Sequence, residues 1–403
     1  MNRSRSAPVA VPASSPLIYL DACAASPLAP GLEERLASYQ QQAWANPSSL
    51  HPAGIAAAEL LERSRQKLLE LMGCPNGQVV FTSGGTEADN LALFGLCRAQ
   101  KPGRLLISAF EHAAIRRSAD QLALEGWEVV TLPMSSDGRI DLEQLEKLLQ
   151  PPTRLLSVAW ASSELGVLQP MQAISALCQQ AGVVLHSDAV QVVGQLPLSD
   201  LLPLPVDLVS LSSHKFQGPR GVGALVMPKP QPLEPQLLGG GQEAGLRSGT
   251  ESPWLVATMV DALELRCQQQ PLFAQAMATL RDQLWQRLSS VAGLERIGTW
   301  GATDCLPHHL AVLLTSVQGE PLSARAAVRQ LAQAGVAVSS GSACSSGNDQ
   351  PNPALMALGY NPRQARSGLR FSVGPWLDVD ELEPLPCLLY TSPSPRDLST
   401  PRM

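Results

Sequence analysis

Residues 207–215 read Asp207-Leu208-Val209-Ser210-Leu211-Ser212-Ser213-His214-Lys215, an apolar run that closes on polar residues and a lysine. Upstream, a second apolar run ends in His186-Ser187-Asp188. Such runs are typical of buried strands, and open α/β sheets bind ligands at the carboxyl ends of their strands. A carboxylate and a lysine presented there predict a pyridoxal 5'-phosphate (PLP) site, with the lysine in a Schiff base and the carboxylate facing the pyridinium nitrogen. A surface lysine and a structural salt bridge are the alternative.

The composition indicates an acidic globular chain of 403 residues with a net charge of −6 and 45% hydrophobic residues. This length predicts about two lobes. Because no apolar run reaches the roughly 18 residues that a membrane span needs, we expect no membrane association. The negative charge, without a long basic cluster, argues against nucleic acid as a partner. Eight scattered cysteines without a C-x-x-C motif or a recognisable signal peptide predict reduced thiols in the cytoplasm.

The two ends of the chain differ from the rest. Residues 1–16 contain arginines, serines and prolines but no acidic residue. Because this segment is short and lacks an amphipathic pattern, we interpret it as a disordered extension rather than a transit peptide. Residues 387–403 are abruptly rich in Ser, Pro and Arg. We interpret them as a non-native tail, which would mean that the native C-terminal helix is missing.

Strand and helix patterns alternate between these ends. Apolar spacing predicts helices at 56–72, 113–124, 142–149, 173–180 and 272–290, and strands at 79–81, 104–108, 129–132, 155–159, 183–185 and 208–211. This alternation predicts an α/β fold with a mostly parallel sheet between helices. A Pro- and Gln-rich region after Arg266 places the domain boundary there, with a large domain at 17–268 and a small domain at 269–386.

A glycine turn follows the strand that ends at Phe81: Thr82-Ser83-Gly84-Gly85-Thr86-Glu87-Ala88-Asp89-Asn90. Glycines let the backbone approach an anion, the hydroxyls of Ser83 and Thr86 can donate, and a helix with free amides begins there. The segment therefore predicts a phosphate cradle, which donors from 239–243 and 247–250 could complete. It lacks the Walker lysine and the dinucleotide spacing. The alternative is a capped helix after a glycine turn.

Cys344 lies among small and polar residues in Ser339-Ser340-Gly341-Ser342-Ala343-Cys344-Ser345-Ser346-Gly347-Asn348-Asp349. This composition is typical of an exposed, mobile loop, whereas structural cysteines lie among apolar residues. An exposed thiol that ionises is a nucleophile. We therefore predict a reactive Cys344 and inert cysteines elsewhere, with Cys23 as the one other thiol to watch.

In this order along the chain, these segments resemble the cysteine desulfurases of the NifS/IscS kind, which belong to the class V PLP-dependent aminotransferases. The resemblance covers about residues 17–386 and implies fold type I, with a large PLP-binding domain, whose first fifteen or so residues pack with the small domain, and a smaller α+β C-terminal domain. The matched segments are Tyr19-Leu20-Asp21, Asn46 to His51, Ser83 to Glu87, Glu111-His112, His186 to Gln191, Ser212 to Lys215, Arg247 to Thr250, Ser339 to Ser345, and Leu369 to Ser372.

The resemblance also implies roles around the cofactor ring. Lys215 would be the Schiff-base lysine, Asp188 the partner of the ring nitrogen, and Gln191 the residue that faces the phenolic oxygen. His112 would stack on the ring and pass protons, since its unperturbed pKa lies near 6.5. The alternative for His112 is a capping histidine at the start of the helix at 113–124.

The remaining implied contacts involve the phosphate and the substrate. Arg370 would clamp the carboxylate of L-cysteine through paired hydrogen bonds, and Ser163 occupies the position of an asparagine that contacts the cofactor or substrate. The residues implied to hold the phosphate are Gly85, Thr86, Ser212 and His214, together with Thr250 from the other subunit of a homodimer.

For Cys344 the resemblance implies attack on the substrate's sulfur, giving L-alanine and a Cys344 persulfide. The sulfur would pass to acceptor or scaffold proteins for iron–sulfur or other sulfur-cofactor assembly, and Cys344 could hold an iron–sulfur species transiently. The long loop resembles the iron–sulfur-assembly branch of the family.

The sequence of this chain differs from the usual family pattern at two places. Ser162-Ser163 stands where two asparagines are usual, and Gly374-Pro375-Trp376 replaces the usual Gly-Arg. A serine could still donate through water. Two other classes of function remain open: another PLP reaction, such as selenocysteine cleavage, transamination or cystine lysis, and a non-catalytic scaffold for sulfur transfer. The presence of both Lys215 and Cys344 argues against the scaffold.

Overall fold

The computed structural model of the chain describes residues 17–298, 304–341 and 350–390. The strands in these ranges are β1 Ile18–Tyr19, β2 Gln78–Thr82, β3 Arg104–Ile107, β4 Glu128–Thr131, β5 Thr153–Ala159, β6 Val184–Asp188, β7 Leu208–Ser212, β8 Gly223–Met227, β9 Leu294–Ile297, β10 His309–Leu314, β11 Val336–Ala337 and β12 Gly368–Ser372. The helices are α1 Leu32–Gln42, α2 Pro52–Leu71, α3 Gly85–Arg98, α4 Ala113–Leu124, α5 Leu142–Leu148, α6 Met171–Ala181, α7 Leu198–Leu201, α8 Pro253–Gln269, α9 Leu272–Leu288, α10 Ala324–Gln333, α11 Pro353–Ala357, α12 Pro362–Ala365 and α13 Leu385–Tyr390.

A seven-stranded sheet in the order β2-β8-β7-β6-β5-β3-β4 carries the site. Five neighbouring strands, β7, β6, β5, β3 and β4, pair in parallel. Strand β8 is antiparallel to both of its neighbours, β2 and β7. All five residues of β7 are buried, as expected for a strand covered by helices on both faces. The predicted α/β fold with a mostly parallel sheet is thus confirmed.

The sheet register brings the two candidate strand ends together. β6 and β7 are parallel neighbours, and Asp188 pairs with Ser210. Lys215 follows in a short 3-10 turn at Ser213–Lys215. Parallel strands end at the same edge of a sheet, so the carboxylate and the lysine emerge on one side of the molecule.

A second apolar core lies in the C-terminal part of the chain. It joins α9 and α10 to the antiparallel sheet β12-β10-β9. The first described residues pack here too, because β1 pairs in parallel with β11, Ile18 opposite Val336. Helix α13 adds the buried Leu385 and Leu389 to this core. Residues 387–390, which the sequence placed in a tail, therefore continue a packed helix.

Helix α8 and strand β8 are two of the elements that the sequence analysis did not list. Helix α8 buries residues around most of its circumference, including Val256, Met259 and Leu263, so its sequence shows no amphipathic stripe. Strand β8 is only five residues long and begins with Gly223-Ala224. Helix α2 begins at Pro52 rather than Ala56, with proline at a favoured first-turn position. Within the described residues, no helix is both long and apolar enough to cross a bilayer.

Candidate active site

Asp188 lies at the carboxyl end of β6 with only 9% of its surface exposed. Its Oδ1 accepts a hydrogen bond from the Val190 backbone N–H at 2.9 Å. Burial raises the pKa of Asp188, while the charges of His112 and Lys215 oppose that rise. The three side chains are thus within electrostatic reach of one another, and a positive group brought to this carboxylate would be stabilised.

Lys215 and Gln191 converge on one backbone carbonyl. The Lys215 Nζ donates to Cys23 O at 2.5 Å and to Ala24 O at 3.0 Å. The Gln191 Nε2 donates to the same Cys23 O at 3.0 Å. The turn after β1 therefore positions both side chains. The resemblance implies that Lys215 forms the Schiff base and that Gln191 faces the phenolic oxygen of the same ring.

His112 combines a structural contact with a position in the site. Its Nδ1 accepts from the Ala114 N–H at 3.1 Å, so it caps α4 as the alternative interpretation stated. Burial lowers the pKa of His112, and Lys215 and Arg116 lower it further although Asp188 opposes them. The neutral ring then carries its proton on Nε2, because Nδ1 is an acceptor.

The glycine turn forms the N-terminus of α3 beside the end of β7. A Cβ on Gly85 would lie 2.8 Å from Val190 Cγ2 and 3.4 Å from Ser212 Cβ, so only glycine allows this approach. Ser212 Oγ lies 3.1 Å from His214 Nδ1, and burial lowers the pKa of His214 to about 4. Thr86 is exposed in the first helical turn. These groups form a concave set of donors at a helix N-terminus, the arrangement that binds phosphate.

Within its own chain, Thr250 borders the first residues of the glycine turn. It is exposed and lines a cavity of about 130 Å³ with Thr82 and Ser83. Two ion pairs fix its loop. Arg247 Nε lies 2.7 Å from Glu87 Oε1, and Glu243 accepts from Arg65 at 2.8 Å and 2.9 Å. A contact from Thr250 to the phosphate across a subunit interface stays a prediction.

Arg370 on β12 is 5% exposed. Its Nη1 donates to Ser163 O at 3.0 Å, and its Nη2 lies 2.9 Å from Asp21 Oδ1. Burial lowers the pKa of Arg370, but Cys23, Glu164 and Asp21 together raise it above its ordinary value. Its Nε is buried without a hydrogen-bond partner among the described residues. The Nε–H therefore keeps an unused hydrogen-bonding capacity among the described contacts.

A buried polar layer beneath Asp188 had no recognised role in the sequence. Burial, with a contribution from Asp188, raises the pKa of Glu111 to about 8 and raises the pKa of Asp89 well above its ordinary value. His186 lies between the hydroxyls of Ser157 and Ser210, each at 2.9 Å. Each of the two acidic residues adjoins a quoted motif, Glu111 next to His112 and Asp89 in the glycine turn. The sequence did not show that these two side chains are buried, and burial is the property that sets them apart.

Cys344 lies outside the described residues. Gly341 and Gln350, which flank 342–349, both line a cavity that also includes His112 and Ser163. The two ends of the segment that carries Cys344 therefore lie at the site. The Ser163 carbonyl lies within hydrogen-bond distance of Arg370 and His309, and the residue is part of the cavity lining.

Comparisons with known proteins agree with this arrangement. The family described as aminotransferase class-V matches residues 18–385. A cysteine desulfurase IscS of Photorhabdus laumondii is 39% identical over 91% of this chain and 90% of its own length. That of Pectobacterium carotovorum is 38% identical with the same coverage. Among solved structures, a NifS-like protein superposes with a TM-score of 0.84 at 28% identity, covering 93% of this chain and 98% of its own. A NifS-like protein from Rickettsia africae gives 0.82 at 27% identity, covering 92% and 98%.

Proposed function

The chain belongs to the class-V aminotransferase family, and from this premise we propose that it is a PLP-dependent cysteine desulfurase. It takes sulfur from L-cysteine, releases L-alanine and holds the sulfur as a persulfide on Cys344. The observation that carries the proposal is the convergence of Lys215 and Gln191 on Cys23 O within electrostatic reach of Asp188. The relatives named cysteine desulfurase supply the choice of substrate.

The described residues fit PLP. The donors around Gly85, Ser212 and His214 suit a phosphate, and the buried Asp188 suits a protonated ring nitrogen. Lys215 would form the covalent link, and Gln191 would face the phenolic oxygen. When bound, PLP supplies an electron sink for the bonds at the substrate's Cα.

Lys215 and His112 are the residues proposed to transfer protons at the substrate's Cα. With the substrate bound, the Lys215 amine would accept the Cα proton, and two backbone carbonyls within hydrogen-bond distance would orient it. His112 would cover the ring and, being neutral with a proton on Nε2, can donate that proton where negative charge develops.

Arg370 is the proposed clamp for the substrate carboxylate. Of its five N–H donors, one is engaged by Asp21 and one by Ser163 O. The unpartnered Nε and a neighbouring N–H can still grip a carboxylate in parallel. Asp21 and Ser163 hold the guanidinium in one orientation, which reduces the entropy lost when substrate binds.

Cys344 is the proposed nucleophile. Its thiolate attacks the sulfur of the bound substrate, a sulfur–sulfur bond forms, and the carbon–sulfur bond breaks. The carbon keeps the electron pair and becomes the methyl group of alanine after protonation. The persulfide then passes to acceptor or scaffold proteins for iron–sulfur or other sulfur-cofactor assembly.

We further propose a homodimer in the cytoplasm. Several large apolar side chains are exposed in the isolated chain, including Trp44 at 68%, Leu50 at 93% and Leu238 at 82%. A contiguous patch of such residues would be typical of a protein interface. The seven described cysteines form no disulfide with one another, which fits a reducing compartment.

The proposal is tested by measuring L-alanine and sulfide from L-cysteine and a reductant. Cys344→Ser should retain the absorbance of bound PLP and lose alanine formation. Cys74→Ser, which changes a half-buried cysteine away from the site, should retain both. Lys215→Ala should lose the absorbance of the covalent link. Undiminished alanine formation by Cys344→Ser would refute the persulfide step.

A further inference from the structure

The turn that follows β1, residues 21–25, is anchored on the small domain by buried contacts, and we call it the β1 turn. The Cys23 N–H donates to Ser372 Oγ, at the end of β12, at 2.9 Å. The Cys23 Sγ lies 3.3 Å from Nε2 of His308, the residue directly before β10. Cys23 and His308 are each only 2% exposed. Cys23 is therefore held both by its backbone and by its side chain.

The imidazole of His308 depends on Cys23 for its hydrogen bond. Its Nδ1 is buried without a partner among the residues that the structure describes. Burial lowers the pKa of His308 to about 3 and raises the pKa of Cys23, so the imidazole and the thiol meet as two neutral groups. One of the two then donates to the other. Removing the thiol would leave both ring nitrogens buried and unpaired, which is costly.

Lys215 contacts the same turn from the side of the cofactor site. Its Nζ donates to Cys23 O at 2.5 Å and to Ala24 O at 3.0 Å. The thiol and the carbonyl of Cys23 belong to one residue, so a rotation of the β1 turn that releases the thiol also moves the carbonyl. The contact between Cys23 and His308 is therefore coupled mechanically to the place where the lysine amine is held.

We propose that Cys23 and His308 are positioning residues for Lys215, because their buried contact holds the Cys23 carbonyl where it receives the lysine amine. This inference rests on the proposed function, in which that amine accepts the proton of the substrate's Cα. In this role neither Cys23 nor His308 touches the substrate, and both act through the lysine. The alternative is that Cys23 only fills space, as a buried thiol can.

The first test uses the full-length protein without PLP, so it needs no turnover. Acetylation of Lys215 by limiting acetic anhydride is measured by peptide mass spectrometry, relative to acetylation of the exposed Lys229. Cys23→Ala should raise this ratio roughly three- to tenfold, the range expected when one buried hydrogen bond is lost. His308→Leu should raise it to a similar extent. Cys23→Ser, whose hydroxyl can replace the thiol, should keep the wild-type ratio.

The second test uses the PLP-bound enzyme and the alanine assay. Cys23→Ala and His308→Leu should each lower kcat by roughly three- to tenfold while the absorbance of bound PLP is retained, and Cys23→Ser should restore the wild-type kcat. Cys178→Ala is the matched control, since Cys178 is a thiol on α6 that is only 1% exposed. It should leave both kcat and the acetylation ratio unchanged. Thermal unfolding shows whether each variant is folded.

An unchanged acetylation ratio in folded Cys23→Ala or His308→Leu overturns the proposal. An equal rise in Cys178→Ala overturns it in favour of general loosening, and a rise in Cys23→Ser as large as that in Cys23→Ala overturns the role of the hydrogen bond. In the double variant of Cys23 and His308, effects that simply add would refute the pairing of the two side chains. Absence of alanine formation by the wild type would refute the proposed function, whereas the acetylation ratios report on positioning separately.

Discussion

Replacing Arg65 with leucine should destabilise the large domain and the loop that carries Thr250. The side chain of Glu243 is 1% exposed and accepts from both terminal nitrogens of Arg65. The Arg65 Nη1 also donates to Val79 O at 2.8 Å, and its guanidinium lies 4.9 Å from the centre of the Phe81 ring. Without the arginine, the one hydrogen bond left to this carboxylate among the described residues is that from the Phe81 N–H at 2.9 Å.

The expected cost follows from this geometry. Removing one partner of a buried ion pair costs roughly 3–5 kcal/mol, because the other charge stays buried. For a domain of this size, each kcal/mol lowers the Tm by roughly 2–4 °C, so Arg65→Leu should lower it by about 6–20 °C. Arg63 is an exposed arginine on the same helix. Arg63→Leu therefore serves as the control for a leucine at the helix surface.

Thermal unfolding of apo and PLP-bound protein measures this cost. A double-mutant cycle with Glu243→Leu should give a coupling free energy of about 0.5–3 kcal/mol between the two positions. Additive single effects would refute the argument that the ion pair itself stabilises the loop. An unchanged Tm in Arg65→Leu would refute the claim that leaving the Glu243 carboxylate buried without its partner destabilises the fold.

Three further predictions concern the site. Arg370→Lys should lower kcat/KM for L-cysteine by roughly 10- to 150-fold in the alanine assay, because a lysine cannot replace the planar fork; an effect on kcat alone would argue against a carboxylate clamp. Gly85→Ala should weaken PLP binding in a titration, because the added Cβ would lie 2.8 Å from Val190 Cγ2; unaltered affinity would mean that the turn moves freely. The pKa of Glu111 is raised to about 8 by burial, so the folded state keeps a proton that the unfolded chain loses near its ordinary pKa. Stability should therefore fall between about pH 4.5 and pH 8, and Glu111→Gln should flatten that part of the apo-protein's Tm profile, whereas an unchanged slope would contradict the assignment.

Much of the cofactor site could be predicted because its residues follow local patterns. Asp188 and Lys215 each end an apolar run, and such a run predicts a buried strand wherever it occurs. Gly85 begins a helix, and the potential of a helix N-terminus to bind anions depends on its backbone alone. The positions of these residues at strand and helix ends are therefore encoded within segments of about ten residues.

Other features depend on contacts between distant segments. The carbonyl that accepts from Lys215 belongs to Cys23, 192 residues away, and the ion pair of Arg370 with Asp21 spans 349 residues. No local pattern specifies such pairs, because each depends on how the segment after β1 packs between β12 and the turn that carries Lys215. The raised pKa of Glu111 likewise arises from burial by the assembled sheet.

By itself, the sequence predicted the fold class and the likeness to PLP-dependent desulfurases, and it singled out Lys215, Asp188 and Cys344 as candidate site residues, because residue type and local spacing carry that information. Only the tertiary structure decided which groups hold the side chains of Lys215 and Asp188, and which donors among the described residues stay unsatisfied. Arg116 illustrates the difference: in sequence it is one of two adjacent arginines. Folding pairs Arg117 with Asp120 in solvent and leaves the Arg116 Nε buried beside the site. Burial and hydrogen-bond partners are properties of the packed chain, so they exist only once distant segments meet.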